Sequence, residues 1–460
     1  KEAPIVVCDK SKKENNVIGK YIAPNINKVG CFLPYTPLHH LLFEYLETPI
    51  VATSANLSGE PILTTKENIL KKLPFVDFIV DFNRDIVNAV DDSIVQVINN
   101  EIQLLRAGRG YTPKVIKLKK KIDKKILAVG ANAKNTISIA FDDTIIVSPY
   151  IGDLDSIVAF EYFLRTIDTF KKFYDFEPDV IVHDKHPNYE KKKKKKQQKN
   201  VKLIEVQHHL SHIYATKAEY FLEDKEYIGF AFDGTGYGDG GTLWGGEVFI
   251  GDERKYHFKA IKLLGAAKAI KEPRRVALSL LFDRYTLDEV LDLKIDCVKS
   301  FKESEIRMLY NSYSKNLNAP LSSSVGRLFD GIASLAGLLQ IQSYEGEAGL
   351  LCEDNYKPNN KRFEYVINNG VIEIEYDFFV EDIVTRFMNT LVEIIVVLSI
   401  QENKEVILSG GVFQNKILLT KAIEALHEKK IKHYYQKMTP INDSGISLGQ
   451  IYYKIFNKSL

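Results

Sequence analysis

Cysteine is scarce in this sequence, and so is any excess of charge. Its four cysteines, Cys8, Cys31, Cys297 and Cys352, are spread through 460 residues without a C-x-x-C pair. Disulfide scaffolds and zinc knuckles need dense, paired cysteines, so neither is supported, and free thiols in a reducing compartment are expected. Lysine and arginine total 62 against 60 aspartate and glutamate, a net charge of +2. Such a balance supplies no field for nucleic acid or an acidic membrane surface. The longest apolar run, "VEIIVVLSI" at 392–400, is too short to cross a bilayer, and the first residues do not read as a signal peptide. A cytoplasmic protein with no nucleic-acid or membrane partner is expected. Neither a Walker sequence nor a clean dinucleotide fingerprint occurs, which argues against a P-loop kinase.

What is present reads as α/β. Hydrophobic residues make up 45% and charged residues 27%, ordinary globular values, and the length suggests two or more domains. Residues 1–118 alternate short strand-like runs with loops: "APIVVC", "TPIVATSAN", "VDFIVDF", "SIVQVINN" and "EIQLLRAG". The opening "KEAPIVVCDKS" starts on a strand, as an incomplete N-terminus would. "KVIKLKKKIDKK" at 114–125 suggests a linker or an edge strand. Beyond it, in 119–460, "KILAVGANAKNTISIAFDDTIIVSPY" predicts strand–turn–strand, and an apolar stripe predicts a helix over 156–176. "YIGFAFDGTGYGDGGTLWGGEVFIG" repeats the strand–glycine turn–strand theme, a helical stretch follows at about 376–402, and "KEVILSGGVFQN" runs from a strand into Gly-Gly and a helix. Two such hairpins in successive halves fit a two-lobed, actin-like nucleotide-binding fold; a doubly wound sheet is the alternative. Lysines 191–196 read as a solvated like-charge run.

Three of the ten histidines crowd into "VQHHLSHIYA", where a strand meets a helix. His208 and His212 are one helical turn apart, so their imidazoles share a face, the H-x-x-x-H geometry that grips a divalent metal. No glutamate follows the first of them, so the metalloprotease pattern fails. The competing reading is a pair of capping or hydrogen-bonding histidines. Imidazole sites need further ligands, often carboxylates. Asp233 heads the turn "DGTGYGDGGTLWGGE" and Asp443 lies in "INDSGISLG"; a helix N-cap is the competing reading for Asp443. The seven glycines of 233–247 let backbone amides curl round phosphate oxygens. In the first unit, Ser54, Asn56 and Ser58 of "ATSANLSGEP", with Arg106 and Arg109 of "LLRAGRGYTP", could hold anionic oxygens, though polar turn chemistry would use the same residues.

Together, "TSANLSGEP", "LPYTPLHHLL", "LLRAGRGY", "VQHHLSHIYA", "FDGTGYGDGGTLWGGE", "SVGRLFDG", "LSGGVFQN" and "NDSGISLGQ" make the sequence resemble the HypF family of hydrogenase-maturation carbamoyltransferases. The resemblance implies an α/β chain with a partial YrdC-like domain at 1–118 and a two-lobed, actin-like Kae1-like domain at 119–460. It implies that an acylphosphatase domain, two zinc-finger repeats and the first half of the YrdC-like domain precede these residues in full-length members. The implied chemistry converts carbamoyl phosphate and ATP to carbamoyl-adenylate, then passes the carbamoyl group to the C-terminal cysteine of the partner HypE. Residues matching the family's motifs are His208, His212, Asp233 and Asp443 for a divalent metal (Fe, Zn or Mg), with His209 as a neighbour. Lys134, Asn135, Gly234, Thr235, Gly236, Gly410 and Gly411 match phosphate contacts, Asp330 a ribose acceptor, and Asn415 a base contact. Ser54, Asn56, Ser58, Arg106 and Arg109 match nucleotide contacts of the YrdC-like part. A small-molecule O-carbamoyltransferase of TobZ type, tRNA threonylcarbamoylation, and a non-catalytic nucleotide- and metal-binding remnant are the alternatives. Domain order and the absence of a basic surface signal weigh against the first two.

Overall fold

A computed structural model describes residues 2–11, 19, 21–57, 59–186, 201–223 and 225–457. The lysine run 191–196 and Ser58 lie outside the described residues. Three sheets organise the rest. The first, in order β2-β1-β3-β4, is built from β1 (Ile5–Asp9), β2 (Lys28–Cys31), β3 (Ile94–Ile98) and β4 (Glu101–Arg106). The runs "TPIVATSAN" and "VDFIVDF" do not form strands, contrary to expectation. Alternation and β-branching favour a strand only where a partner lies alongside; here Val51, Phe78 and Val80 stay 74%, 91% and 83% exposed.

The second sheet has order β6-β5-β7-β8, from β5 (Lys114–Ala128), β6 (Ser138–Val147), β7 (Val180–Asp184) and β8 (Lys202–Val206). "KVIKLKKKIDKK" is therefore no linker. Its first part pairs only with β6, while Ile126–Ala128 pairs with both β6 and β7. The residue 118–119 division falls inside this strand. Period-two alternation sends Leu127, Ile139 and Ile146 to one face, covered by the helix Ile157–Phe173. Ile126, Ala128 and Val182 face the other way, onto the helices His208–Tyr220 and Ile446–Phe456.

The third sheet, of nine strands, centres on β9 (Tyr227–Tyr237), which pairs antiparallel with β10 (Leu243–Ile250) and parallel with β11 (Glu405–Ser409). Ile228, Phe230 and Phe232 point into the largest core cluster, shared with the helices Pro273–Phe282, Val325–Leu335 and Ile383–Glu402. Tyr227 and Ala231 point instead onto Leu210 and Ile213 of the helix His208–Tyr220. That helix is thus wedged between two sheets, and its residues His208 to Thr216 are all buried. Ile383–Glu402 is long and apolar enough to cross a membrane by length and composition, and two-thirds of its most apolar window (67%) is buried within the protein. It begins later than the helical stretch expected from about residue 376.

The helices His208–Tyr220 and Ile446–Phe456 cross at Gly449, where any Cβ would overlap the Ser211 carbonyl oxygen. Only glycine lets these backbones approach so closely; one helix carries two residues of the site described next, and the other follows directly on the turn that carries a third. Gly449→Ala is expected to destabilise the chain by about 2–3 kcal/mol through overpacking. Thermal denaturation checks this, as a drop in Tm with little loss of helical signal at low temperature.

Candidate metal and nucleotide centre

Parallel strands β7, β8 and β11 end at one crevice, the place where open α/β sheets gather functional side chains. Strand β8 runs directly into the helix His208–Tyr220. Gln207 caps that helix, its Oε1 accepting from the amides of His209 (2.6 Å) and Leu210 (3.1 Å), while its Nε2 donates to the Tyr237 carbonyl (3.1 Å) on β9. The cap therefore fixes the helix start against the glycine hairpin. Asp233 shares the face of β9 that carries Tyr227 and Ala231, so alternation aims it at the histidines. Asp443 opens the short turn Asp443–Gly445. The capping role considered for Asp443 belongs to Asn442, whose Oδ1 accepts from the Ser444 amide (3.1 Å), so the Asp443 carboxylate is left for the crevice.

Two imidazoles and two carboxylates meet there. His208 Nε2 lies 3.5 Å from Asp233 Oδ2 and 3.7 Å from Asp443 Oδ1. His212 Nε2 lies 3.7 Å and 3.5 Å from the same two oxygens. All four donor atoms fall within 4.8 Å of one another. Ligands at about 2.1 Å in a tetrahedron sit about 3.4 Å apart, so this spacing suits one ion equidistant from four donors. Both Nε2 atoms are buried without a hydrogen-bond partner, which a metal would relieve.

Electrostatics agree. Burial alone would strip the proton from His208, yet the Asp184 and Asp443 carboxylates outweigh it and hold the imidazole well above its ordinary range. Burial likewise opposes charge on His212, and Asp233 and Asp443 reverse that. Against a burial cost of the opposite sign, contacts to His208 and His212 hold Asp233 well below the carboxylate range. Asp443 is also depressed, by both histidines, against burial and the neighbouring Asp233. The carboxylates stay anionic and demand a positive partner, either imidazolium protons or a cation.

Several supports carry no obvious signal in sequence. Asp184, ending β7, places Oδ2 2.7 Å from His208 Nδ1, which fixes the ring so that Nε2 faces the crevice. Its position at a strand's C-terminal end was the available clue. Glu247, fully buried, accepts from the amides of Gly245 (2.5 Å) and Gly246 (2.7 Å) and from Arg254 (2.9 Å), clamping the hairpin. His209 turns away from the cluster: its Nδ1 is 3.1 Å from Gln207 Nε2 and its ring lies beside Trp244.

The remaining candidates divide. Gly234 borders open space, with only Glu345 and Arg327 near where a Cβ would lie, and Thr235 follows it half-buried on β9. Gly236 serves clearance, since a Cβ there would stand 2.5 Å from His209 and 2.6 Å from His208 ring carbons. Gly410 has φ +103°, and the Gly411 amide donates to Asp233 Oδ1 (3.1 Å), so this turn positions a carboxylate of the cluster. The Lys134 ammonium pairs with Glu345 (2.7 Å); burial opposes its charge, but Glu345, Asp443 and Asp233 prevail and keep it protonated. Asn135 spends its side-chain amide on the carbonyls of Val129 (2.8 Å) and Ala131 (2.5 Å), closing its own turn. Asn415 caps the helix Lys416–Glu428 and donates to the Gly349 carbonyl (3.0 Å), so both ends of its side chain are engaged within the protein. Asp330 is buried 2.7 Å from Arg327 Nη1, and burial, opposed by Arg327, lifts its carboxyl to about 7.

A second recess, of about 220 Å³, lies where the first sheet's unit meets the loop after β6 and the helix Ile157–Phe173; Ser54, Asn56 and Arg106 line it together with Asp91, Tyr150 and Asp153. Arg109 is not among these residues. Its guanidinium donates to Asp92 (2.8 Å) and to the Glu2 and Ala3 carbonyls (2.8 Å each), and stacks over Tyr35. It staples the first sheet together. Asn442, next to Asp443, donates to the Leu105 carbonyl (2.9 Å), next to Arg106, so the recess and the metal crevice are joined through adjacent backbone.

His212→Ala is expected to abolish stoichiometric metal binding, and Asp184→Asn to weaken it by about 10–100-fold, the usual cost of losing a ligand's orienting carboxylate. Because ligand imidazoles must shed their protons and both are held above the ordinary imidazole range, affinity is also expected to fall as pH falls, beginning above that range. Chelator competition on the folded variants, followed over pH, checks all three.

Three family models match the chain. That described as "HypF Kae1-like domain" covers residues 121–219, and "Carbamoyltransferase, Kae1-like Domain, second subdomain" covers 229–450. The Sua5/YciO/YrdC model, described as "Telomere recombination", covers 1–108. The carbamoyltransferase HypF of Synechocystis is 38% identical over 485 residues, covering 98% of this chain and 63% of the relative. The probable carbamoyltransferase HypF of Methanocaldococcus jannaschii is 31% identical, with 97% and 61% covered. The chain therefore spans about three-fifths of the length of these curated relatives. A crystal structure of full-length HypF in the phosphate- and nucleotide-bound form superposes with TM-score 0.91 at 35% identity, over 99% of this chain and 74% of that one. HypF of T. kodakarensis superposes with TM-score 0.88 at 28% identity, over 98% of this chain and 62% of that one. On sequence, fold and domain models alike, this chain belongs to the HypF carbamoyltransferase family.

Proposed function

We propose that the chain is a cytoplasmic, ATP-dependent carbamoyltransferase of [NiFe] hydrogenase maturation, with a YrdC-like unit at 1–118 and a Kae1-like unit at 119–460. Carbamoyl phosphate and ATP are the source of carbamoyl-adenylate, and the acceptor is the C-terminal cysteine of HypE. The observation that carries this reading is the convergence of His208, His212, Asp233 and Asp443 on one buried point beside a glycine-lined crevice.

In the transfer step the acceptor thiolate forms a bond to the carbamoyl carbon. The bond from that carbon to the AMP phosphate oxygen breaks, and AMP departs with the electron pair. The sulfur has already lost its proton to solvent, so no protein nucleophile is required. A divalent cation held by the four ligands supplies Lewis-acid stabilisation of phosphate and carbonyl oxygens. Asp184 holds the His208 ring in the ligating orientation. The hairpin 233–247, clamped by Glu247, supplies the wall on which the adenylate lies, with Lys134 across from it balancing phosphate charge. Ser54, Asn56 and Arg106 hold the nucleotide in the second recess.

Incubating the chain with synthetic carbamoyl-adenylate and a peptide ending in cysteine is expected to give an S-carbamoyl peptide, a mass increase of one carbamoyl group, in stoichiometry with released AMP. Asp443→Asn is expected to reduce that rate by at least about 100-fold, since removing one anion unmakes the cation's site. AMP release without peptide modification would leave a hydrolase, and neither product would leave a nucleotide- and metal-binding protein.

A further inference from the structure

The metal crevice holds a second charged group of residues, and its arrangement is unusual for a purely structural network. Arg327 follows the start of the helix Val325–Leu335, whose cap residue Ser324 both accepts from the Arg327 amide (3.1 Å) and donates to the Asp233 carbonyl (2.7 Å). The helix start is therefore pinned to the backbone of a cluster residue. The Arg327 side chain is 5% exposed, and its Nε has no hydrogen-bond partner. Asp330 lies 2.7 Å from Nη1, but the angle is too poor for a hydrogen bond, and Nη1 too remains unsatisfied. The Nη2 end reaches to 3.8 Å from where a Cβ on Gly234 would stand.

Glu345 reaches the same spot. One carboxylate oxygen is 3.7 Å from that position above Gly234, and the other is 2.7 Å from Lys134 Nζ. Lys134 comes from the first lobe's turn between β5 and β6, whereas Arg327 and Glu345 come from the second lobe. Two cations from opposite walls thus face one point next to the metal cluster, and a single carboxylate stands there. Glu345 is 59% exposed, and ion pairs of such exposure contribute little to stability, so this carboxylate can leave cheaply. The Arg327 guanidinium is the opposite case: it is buried and anchored by Asp330 on its Nη1 side, so its charge stays in place with Nη2 toward the space over Gly234.

We propose that Lys134 and Arg327 form a two-lobed anion subsite over Gly234, and that Glu345 fills it as an exchangeable counter-ion until a phosphate oxygen of the ligand displaces it. Asp330 then holds Arg327 in place rather than accepting from ribose. The inference rests on the nucleotide-using reading above and adds to it a displaceable carboxylate that the ligand must out-compete. Binding and cleft chemistry are coupled by that exchange, because the Lys134–Glu345 pair links the two lobes only while the subsite has no other anion.

Calorimetric titration of the full 460-residue chain with pyrophosphate and with ADP, at fixed ionic strength, tests the exchange. Glu345→Gln removes the competitor and is expected to tighten both ligands about tenfold, one charge-assisted contact's worth. Arg327→Met is expected to weaken both by about tenfold or more, and Arg327→Lys, which keeps the buried charge should the Met variant misfold, to fall between. Asp330→Asn is expected to move pyrophosphate and ADP affinity in the same direction; selective loss of ADP affinity would return Asp330 to the ribose and overturn its role here. Unchanged or weaker binding by Glu345→Gln, or parent-like binding by folded Arg327 variants, would overturn the subsite while leaving the nucleotide reading standing. Failure of the parent chain to bind either probe would overturn both.

Discussion

Two carboxylates and two imidazoles buried at a common point cannot be left to themselves. Removing Asp233 and Asp443 from water costs several kcal/mol each unless positive charge lies alongside, and both are held anionic by the histidines they face. The fold is arranged around satisfying that demand. Strand β8 delivers the histidine helix, β9 delivers Asp233 on the face that meets it, and the turn after the last strand delivers Asp443 just before a helix that crosses the first one at Gly449. Three chain segments, the last of them 210 residues beyond Asp233, are thereby drawn onto one ion-sized volume.

The same constraint explains the glycine distribution better than phosphate binding alone. Gly236 leaves room for the His208 and His209 rings, and Gly410–Gly411 turns an amide onto Asp233. The hairpin's far end is clamped by the buried carboxylate of Glu247. Gly234 has only the ends of the Arg327 and Glu345 side chains above it, and Gly240 and Gly241 at the hairpin's tip face open space. Much of the hairpin around Gly236, Gly245 and Gly246 therefore serves to hold the four-residue cluster in place.

Much of this was legible in the sequence, for physical reasons that differ residue by residue. An i, i+4 histidine pair after a strand carries its geometry with it, because helical periodicity sets where both rings point. Asp233 was legible through its glycines. Asp184 was not, since "DVIVHD" reads as any buried strand until β7 is known to end beside β8. Arg109 and Arg106 look alike in "LLRAGRGY", yet one staples a sheet and the other lines a recess, a difference set by which backbone carbonyls lie within reach. Asn135 and Asn415 sit in glycine-flanked motifs but spend their amides on a turn and a helix cap, competition that sequence does not disclose. In the first unit, apolar alternation misled at 48–56 and 76–82, where β texture finds no neighbouring strand.

A single ion held by all four side chains is the central expectation. X-ray diffraction from crystals of the metal-loaded chain, recorded above and below the absorption edge of the bound metal, measures that directly. A single anomalous peak at bonding distance, about 2.0–2.3 Å, from Nε2 of His208 and His212 and from carboxylate oxygens of Asp233 and Asp443 is predicted. Ordered side chains around that point with the peak elsewhere, or with two of the four turned away from it, would contradict the account.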